Sequence, residues 1–218
     1  MLTVRLEKGI KGSLNILCLG AHSDDIEIGC GGTILKLLKG NRNLVFHWAV
    51  FSANEKRKEE ALASALALLK PAKKAEVIIH PFRDGYFPYA GAEIKDAFES
   101  LKKSFSPDLI FAPRRNDLHQ DHRLVSELTW NTFRDHMILE YEIVKYDGDL
   151  ASPNVFVHLE KGICREKARH IAGHFVSQSG NHWFDEETFL SLLRLRGVES
   201  NSPTGYAEAF HCRKMVLG

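Results

Sequence analysis

Apolar runs of strand length alternate with segments of helix length through the first 112 residues, and this alternation restricts the fold more than any other feature of the chain. Leu14 to Gly20 is apolar except for Asn15, a pattern that suits a strand buried on both faces of a parallel sheet. Gly29 to Leu38 reads as a helix with Ile34, Leu35, Leu37 and Leu38 along it, closed by Gly40-Asn41. Leu44 to Phe51 is a second strand, and Asn54 to Leu69 is a second helix stopped by Pro71. Ala75 to His80 is a third strand, Gly91 to Phe105 a helix halted before Pro107, and Leu109 to Ala112 a fourth strand. That order implies βαβ units with right-handed crossovers. Beyond it, His119 to Phe133 reads as a helix, and Ile138 to Val144 and Val155 to Leu159 as strands. Lys161 to Phe175 and Glu186 to Leu195 read as helices, and Ala207 to Leu217 as strand or extended chain. The expected fold is a Rossmann-like three-layer α/β/α arrangement with a mostly parallel sheet. The 218 residues suffice for one such core, and no repeat, low-complexity tract or long linker divides them, so residues 1–218 read as a single domain.

Charge and cysteine usage narrow the function classes. A formal net charge of +1 gives no bulk electrostatic reason to expect a nucleic-acid partner. The apolar stretch Leu14 to Ala21 is too short to span a bilayer and lacks the layout of a cleavable signal. None of Cys18, Cys30, Cys164 and Cys212 sits in a C-x-x-C pair, which argues against a cysteine-based zinc knuckle. Without a secretory signal they read as reduced thiols, and the expected location is the cytoplasm.

Two polar clusters follow buried strands, where open α/β sheets bind their ligands. The first, His22-Ser23-Asp24-Asp25, holds one imidazole and two carboxylates, enough for two ligands to a zinc-like ion and a base. The same aspartates also suit the cap of the next helix, and these residues alone leave both readings open. Gly29, Gly31 and Gly32 fit neither the dinucleotide nor the P-loop pattern, and neighbouring carboxylates would repel phosphate. The second cluster runs from Pro113 through Asp117, His119 and Asp121 to His122, with the two histidines three residues apart. If the two strands are parallel neighbours, both clusters meet at one edge of the sheet.

These residues carry a resemblance. Ala21 to Gly32 (AHSDDIEIGCGG) resembles the A-H-P-D-D-x-E-x-G-x-G-G signature of the LmbE-like or PIG-L family of zinc deacetylases. Pro113 to His122 resembles that family's second motif, and Tyr206 to Phe210 its Y-A-E-A-F end; Ser23 stands where the family has proline. The resemblance implies His22, Asp25 and His122 as ligands of Zn2+ or another divalent metal, with one position left for water. It implies Asp24 as the general base acting on zinc-bound water. His119 is implied as an imidazolium that stabilises the oxyanion, and Asp121 as the partner that orients His119.

Arg57, at the start of the second helix, and Arg114 and Arg115, beside the second motif, are candidate substrate-binding residues, although Arg57 equally suits a solvated helix face. His174 and Gln178 resemble a family helix segment, and their ordinary role is structural. Tyr86, Phe87, Tyr89 and Trp183 suit sugar stacking or packing equally. The implied activity is removal of an N-acetyl or other acyl group from an amino sugar or its conjugate, with the small molecule as partner, no membrane insertion and homo-oligomerisation left open. The alternatives are an amidase of a thiol-sugar conjugate or another small amide, and a non-catalytic sugar-binding protein.

Overall fold

A computed structural model describes residues 3–4, 12–41 and 43–216. Among the described residues seven strands form one sheet: β1 (Leu14–Gly20), β2 (Leu44–Val50), β3 (Lys74–Ile79), β4 (Leu109–Pro113), β5 (Met137–Tyr141), β6 (Val155–His158) and β7 (Ala207–His211). Six helices accompany them: α1 (Asp25–Gly40), α2 (Glu55–Leu69), α3 (Gly91–Ser104), α4 (Gln120–Thr132), α5 (Lys161–His174) and α6 (Glu186–Glu199). The order across the sheet is β3-β2-β1-β4-β5-β7-β6. The first five positions are parallel, while β7 runs antiparallel to both β5 and β6. The expected mostly parallel α/β/α architecture is therefore what the chain adopts.

Side-chain alternation on the strands builds two cores. On β1, Ile16 and Cys18 face one core, with Ile26 and Ile34 of α1, Ala65 of α2, Ala168 of α5 and Leu193 of α6. Leu17 and Leu19 face the other, with Ile94 and Phe98 of α3 and Val125 of α4. Both faces of β1 are covered, which is why its sequence reads as a continuous apolar run.

Helix α1 begins at Asp25, four residues ahead of the glycine-marked start expected from sequence. The glycines lie inside the helix, where neighbours crowd it. A Cβ on Gly29 would stand 2.2 Å from Cδ2 of Tyr141, and one on Gly32 would stand 2.6 Å from Leu159 Cδ1. Close packing outweighs the helix cost of glycine here.

The strand order reverses between β1 and β4. They are direct parallel neighbours, Ile16 to Cys18 pairing with Leu109 to Phe111. A crevice opens at such a reversal beyond the strands' C-terminal ends. His22 to Asp25 follow β1 and Pro113 to His122 follow β4, so the crevice receives both motifs.

Candidate metal centre

Asp24 occupies the N-cap position of α1, yet its side chain makes no capping bond. Instead Arg57 Nη2 donates to Asp24 Oδ1 at 2.8 Å, while Oδ2 is buried without a hydrogen-bond partner. The cap reading of this aspartate therefore does not hold. Asp25, the first residue of the helix, turns back so that Oδ2 accepts the His22 N–H at 2.8 Å. His119 is the N-cap of α4, its Nδ1 accepting from Asp121 N–H at 3.2 Å, and His122 follows one turn later.

Three atoms from the two motifs converge. His22 Nδ1 lies 3.1 Å from His122 Nε2 and 3.6 Å from Asp25 Oδ2, and His122 Nε2 lies 3.3 Å from the same Oδ2. Ligand atoms around a tetrahedral ion with bonds of ~2.0–2.2 Å are separated by about 3.3–3.6 Å. The triangle thus has the size of one face of a zinc-type site. The other nitrogen of each imidazole is held by a carboxylate, as metal-ligating histidines require. His122 Nδ1 meets Asp117 Oδ2 at 2.9 Å, and His22 Nε2 meets Asp121 Oδ2 at 3.2 Å and Asp84 Oδ1 at 3.1 Å. A ring nitrogen of His119 comes within 4.8 Å of those of His22 and His122, and His22, Asp84 and Asp121 form a second such group, so these two sets are alternatives. The sides of the set with Asp25, 3.1, 3.3 and 3.6 Å, suit one ion, whereas His119 has Nδ1 engaged with its own helix.

The electrostatics of the cluster are strongly coupled. Burial opposes protonation of His22, but hydrogen bonds with Asp121, Asp25 and Asp84 outweigh it and raise its pKa well above the imidazole range. Burial also works against charged His122, yet Asp25 and Asp117 raise it to about 9. Asp25 resists burial through the charge and hydrogen bond of His122, with His22 adding to them, and is held well below the carboxylate range. A divalent ion held between these groups would take the place of the protons on His22 and His122. Asp24 behaves oppositely: burial raises its pKa, Arg57 pulls it down, and Asp25 adds to the rise.

A pH dependence follows from these signs. Protonated His122 adds stability to the metal-free protein below the unfolded imidazole pKa, and this is lost as pH rises through about 9. Metal needs the neutral ring. Apparent metal affinity is therefore expected to rise with pH by at least about tenfold per unit from roughly pH 6 to 9. Chelator competition across that range measures this, and a flat profile would remove His122 as a ligand.

Two roles expected from sequence change. Asp121 holds His119 through its backbone N–H and not through its carboxylate: Oδ2 accepts from Gly85 N–H at 2.7 Å and faces His22, and Oδ1 accepts from Phe87 N–H at 3.1 Å. Nor does His119 read as an imidazolium. Burial lowers its pKa, followed by the positive charges of His22 and His122. With Nδ1 accepting a backbone N–H, the neutral ring carries its proton on Nε2.

The candidate arginines separate. Arg57 reaches the site through Asp24. Arg114 is committed to Asp149, donating to its carbonyl and lying 3.6 Å from its Oδ2. Asp149 and Asp117 both take hydrogen bonds from Lys145, so Arg114 supports the site from behind His122 rather than lining it. Arg115 is exposed and shares a cleft with Glu127, Trp130, Asn131 and Arg213, none of them in the metal cluster. Asp84 and Lys145 escaped sequence reading, being isolated charged residues in loops without a motif. Among the aromatics, Phe87 is buried, Arg83 covers the Tyr86 ring at 3.6 Å, and Tyr89 is 86% exposed. His174 Nδ1 lies 2.8 Å from the His170 carbonyl, and Gln178 accepts from Asn181, both structural.

An α/β sheet with an imidazole–carboxylate cluster at its switch point defines a class of protein with a candidate divalent-ion site beside a buried carboxylate. Within that class the chain belongs to the PIG-L family, described as GlcNAc-PI de-N-acetylase, whose model matches residues 17–133. Solved structures agree on the fold. A conserved protein of Thermus thermophilus matches with a TM-score of 0.71 at 20% identity, over 94% of this chain and 97% of that one. The N,N'-diacetylchitobiose deacetylase of Pyrococcus horikoshii, complexed with an inhibitor, matches at 0.69 and 22%, over 93% and 84%. A 4-carboxy-2-hydroxymuconate hydratase of Pseudomonas putida matches at 0.68 and 16%, over 94% and 98%. The fold therefore serves more than one chemistry, and the site has to carry the functional argument. Among the described residues no helix is long and apolar enough to cross a membrane, and all four cysteines are free.

Proposed function

We propose that this protein is a metal-dependent N-deacetylase acting on an acylated amino sugar or its conjugate. The observation that carries the reading is the inward-facing triangle of His22 Nδ1, Asp25 Oδ2 and His122 Nε2, two of whose corners share the segment His22 to Asp25 with Asp24, whose Oδ2 is buried and unpartnered. Those three side chains would hold the ion, Zn2+ or another divalent metal. When bound, such an ion supplies Lewis acidity and brings the pKa of water toward ~7.

The chain's own groups supply the rest. Asp24 Oδ2 takes a proton from the attacking water and returns one to the leaving nitrogen. Arg57 holds Oδ1, which fixes the carboxylate plane and leaves Oδ2 free for proton transfer. His119 presents Nε2–H to the amide oxygen as charge builds there, a hydrogen bond that strengthens toward the transition state. Asp121 and Asp117 fix the tautomers of His22 and His122.

Family membership and the diacetylchitobiose deacetylase likeness support an amino-sugar amide as substrate. The free thiols and ordinary charge balance support a cytoplasmic setting. The test is amine release from N-acetylglucosamine derivatives and from S-conjugated amides, with and without a chelator. Release from the sugar acetamides, lost on chelation and restored by metal, is expected. Release confined to the S-conjugates would transfer the activity to the thiol-conjugate alternative. No release from any acetamide by metal-loaded protein would overturn the deacetylase reading.

A further inference from the structure

Helix α1 receives a buried charge pair in its side. Glu208 of β7 accepts the Gly32 N–H on Oε1 at 2.8 Å and the Thr33 N–H on Oε2 at 2.6 Å. Lys167 of α5 donates to the same Oε1 at 2.6 Å and to the Ile28 carbonyl at 2.6 Å. In an undisturbed helix the amides at 32 and 33 pair with carbonyls 28 and 29. Glu208 and Lys167 thus bring, from two other elements, a further acceptor and a further donor to this turn of an uninterrupted helix.

Both side chains are almost fully buried, at 2% and 4% exposure. A buried ion pair is a poor way to gain stability, since its desolvation consumes most of the attraction. What this pair gains is geometry. Ile28, whose carbonyl Lys167 holds, donates its own N–H to the Asp24 carbonyl at 3.0 Å. One residue therefore links the clamp to the turn bearing Asp24 and Asp25. The opposite seat of that turn is Tyr141, packed where Gly29 lacks a side chain, its hydroxyl donating to the Leu19 carbonyl near the end of β1 at 2.6 Å.

We propose that Glu208 and Lys167 are positioning residues that set the first turn of α1, and with it the placement of Asp25 toward the two histidines and of Asp24 toward the substrate. The inference rests on the ligand and base roles proposed above. It gives the motif Tyr206 to Phe210 a physical role, because its glutamate steers the motif at Ala21 to Gly32 from 176 residues away.

The test is the double variant Glu208→Gln/Lys167→Met, which leaves no buried unpaired charge. Folded protein, judged by circular dichroism, is expected to bind Zn2+ about 10–100-fold more weakly in chelator competition. At saturating metal kcat is expected to stay reduced by about tenfold or more with KM little changed, because Asp24 remains displaced. Wild-type affinity together with wild-type kcat in a folded double variant would overturn the proposal. If that variant fails to fold, Gly32→Ala takes its place, since it keeps both charges while its Cβ would meet Leu159 Cδ1 at 2.6 Å and Glu208 Oε1 at 2.9 Å, displacing the glutamate from the helix. The same pair of losses is expected from it, and wild-type values would be equally decisive against the clamp. Should the wild-type protein itself bind no metal, the site reading fails, a different result from failure of the clamp alone.

Discussion

Replacing Asp24 with asparagine is expected to cut turnover by about 10²–10⁴-fold while metal content stays near that of the wild type. The loss follows from removing the buried, unpartnered Oδ2 as proton acceptor. The retention follows because Asp24 contributes no atom to the ligand triangle. Asparagine keeps an oxygen for Arg57 and so avoids stranding a guanidinium that is otherwise held at 2.8 Å. Alanine should show the same loss of activity together with lower stability. Burial raises the Asp24 pKa, and a raised pKa makes the carboxylate a stronger base. Steady-state kinetics on a sugar acetamide, paired with metal analysis of the same sample, reads both halves. Turnover near wild type would remove Asp24 as the base.

The second large effect concerns the ligands. His22→Ala and His122→Ala are each expected to abolish tight metal binding, because each deletes one corner of a three-point site. An ion that binds only the folded protein stabilises it by roughly 2.7 kcal/mol at a hundredfold excess over its Kd. The thermal shift on adding Zn2+ should therefore be clear in the wild type and absent in both variants. His119→Ala is the companion measurement. It should keep the shift and lose activity, since His119 is read as a hydrogen-bond donor and not a ligand. Loss of the shift in His119→Ala with its retention on removal of Asp25 would favour the three-histidine set.

Much of the architecture was legible because burial writes itself into sequence. A strand covered on both faces, such as Leu14–Gly20, has to be apolar throughout, and helices ending before Pro71 and Pro107 announce their boundaries. The start of α1 lies four residues ahead of Gly29, because Gly29 and Gly32 sit inside a continuous helix and admit Tyr141, Leu159 and Glu208. That information belongs to contacts more than a hundred residues away.

The site divides in the same manner. The clusters at His22 and His122 were visible because several chemistry-bearing residues fall within a few positions of a strand end. Which carboxylate serves which ring was not visible. Asp121 neighbours His119 and His122 in sequence but reaches across to His22, because loop amides at Gly85 and Phe87 hold it there. Asp84 comes to His22 on that same loop as a lone charged residue, with 60% of its side chain exposed. From the residues alone Asp24 and Asp25 look equivalent as helix-capping acids, and only the family resemblance separates base from ligand. In the structure the two point apart, one toward Arg57 and one toward the histidines.

The most direct test of the central claim is anomalous diffraction from a crystal of the zinc-loaded protein. A single peak is expected about 2.0–2.2 Å from His22 Nδ1, Asp25 Oδ2 and His122 Nε2, with Asp24 uncoordinated. A peak bonded to His119 in place of Asp25, or no peak in this crevice, would contradict it.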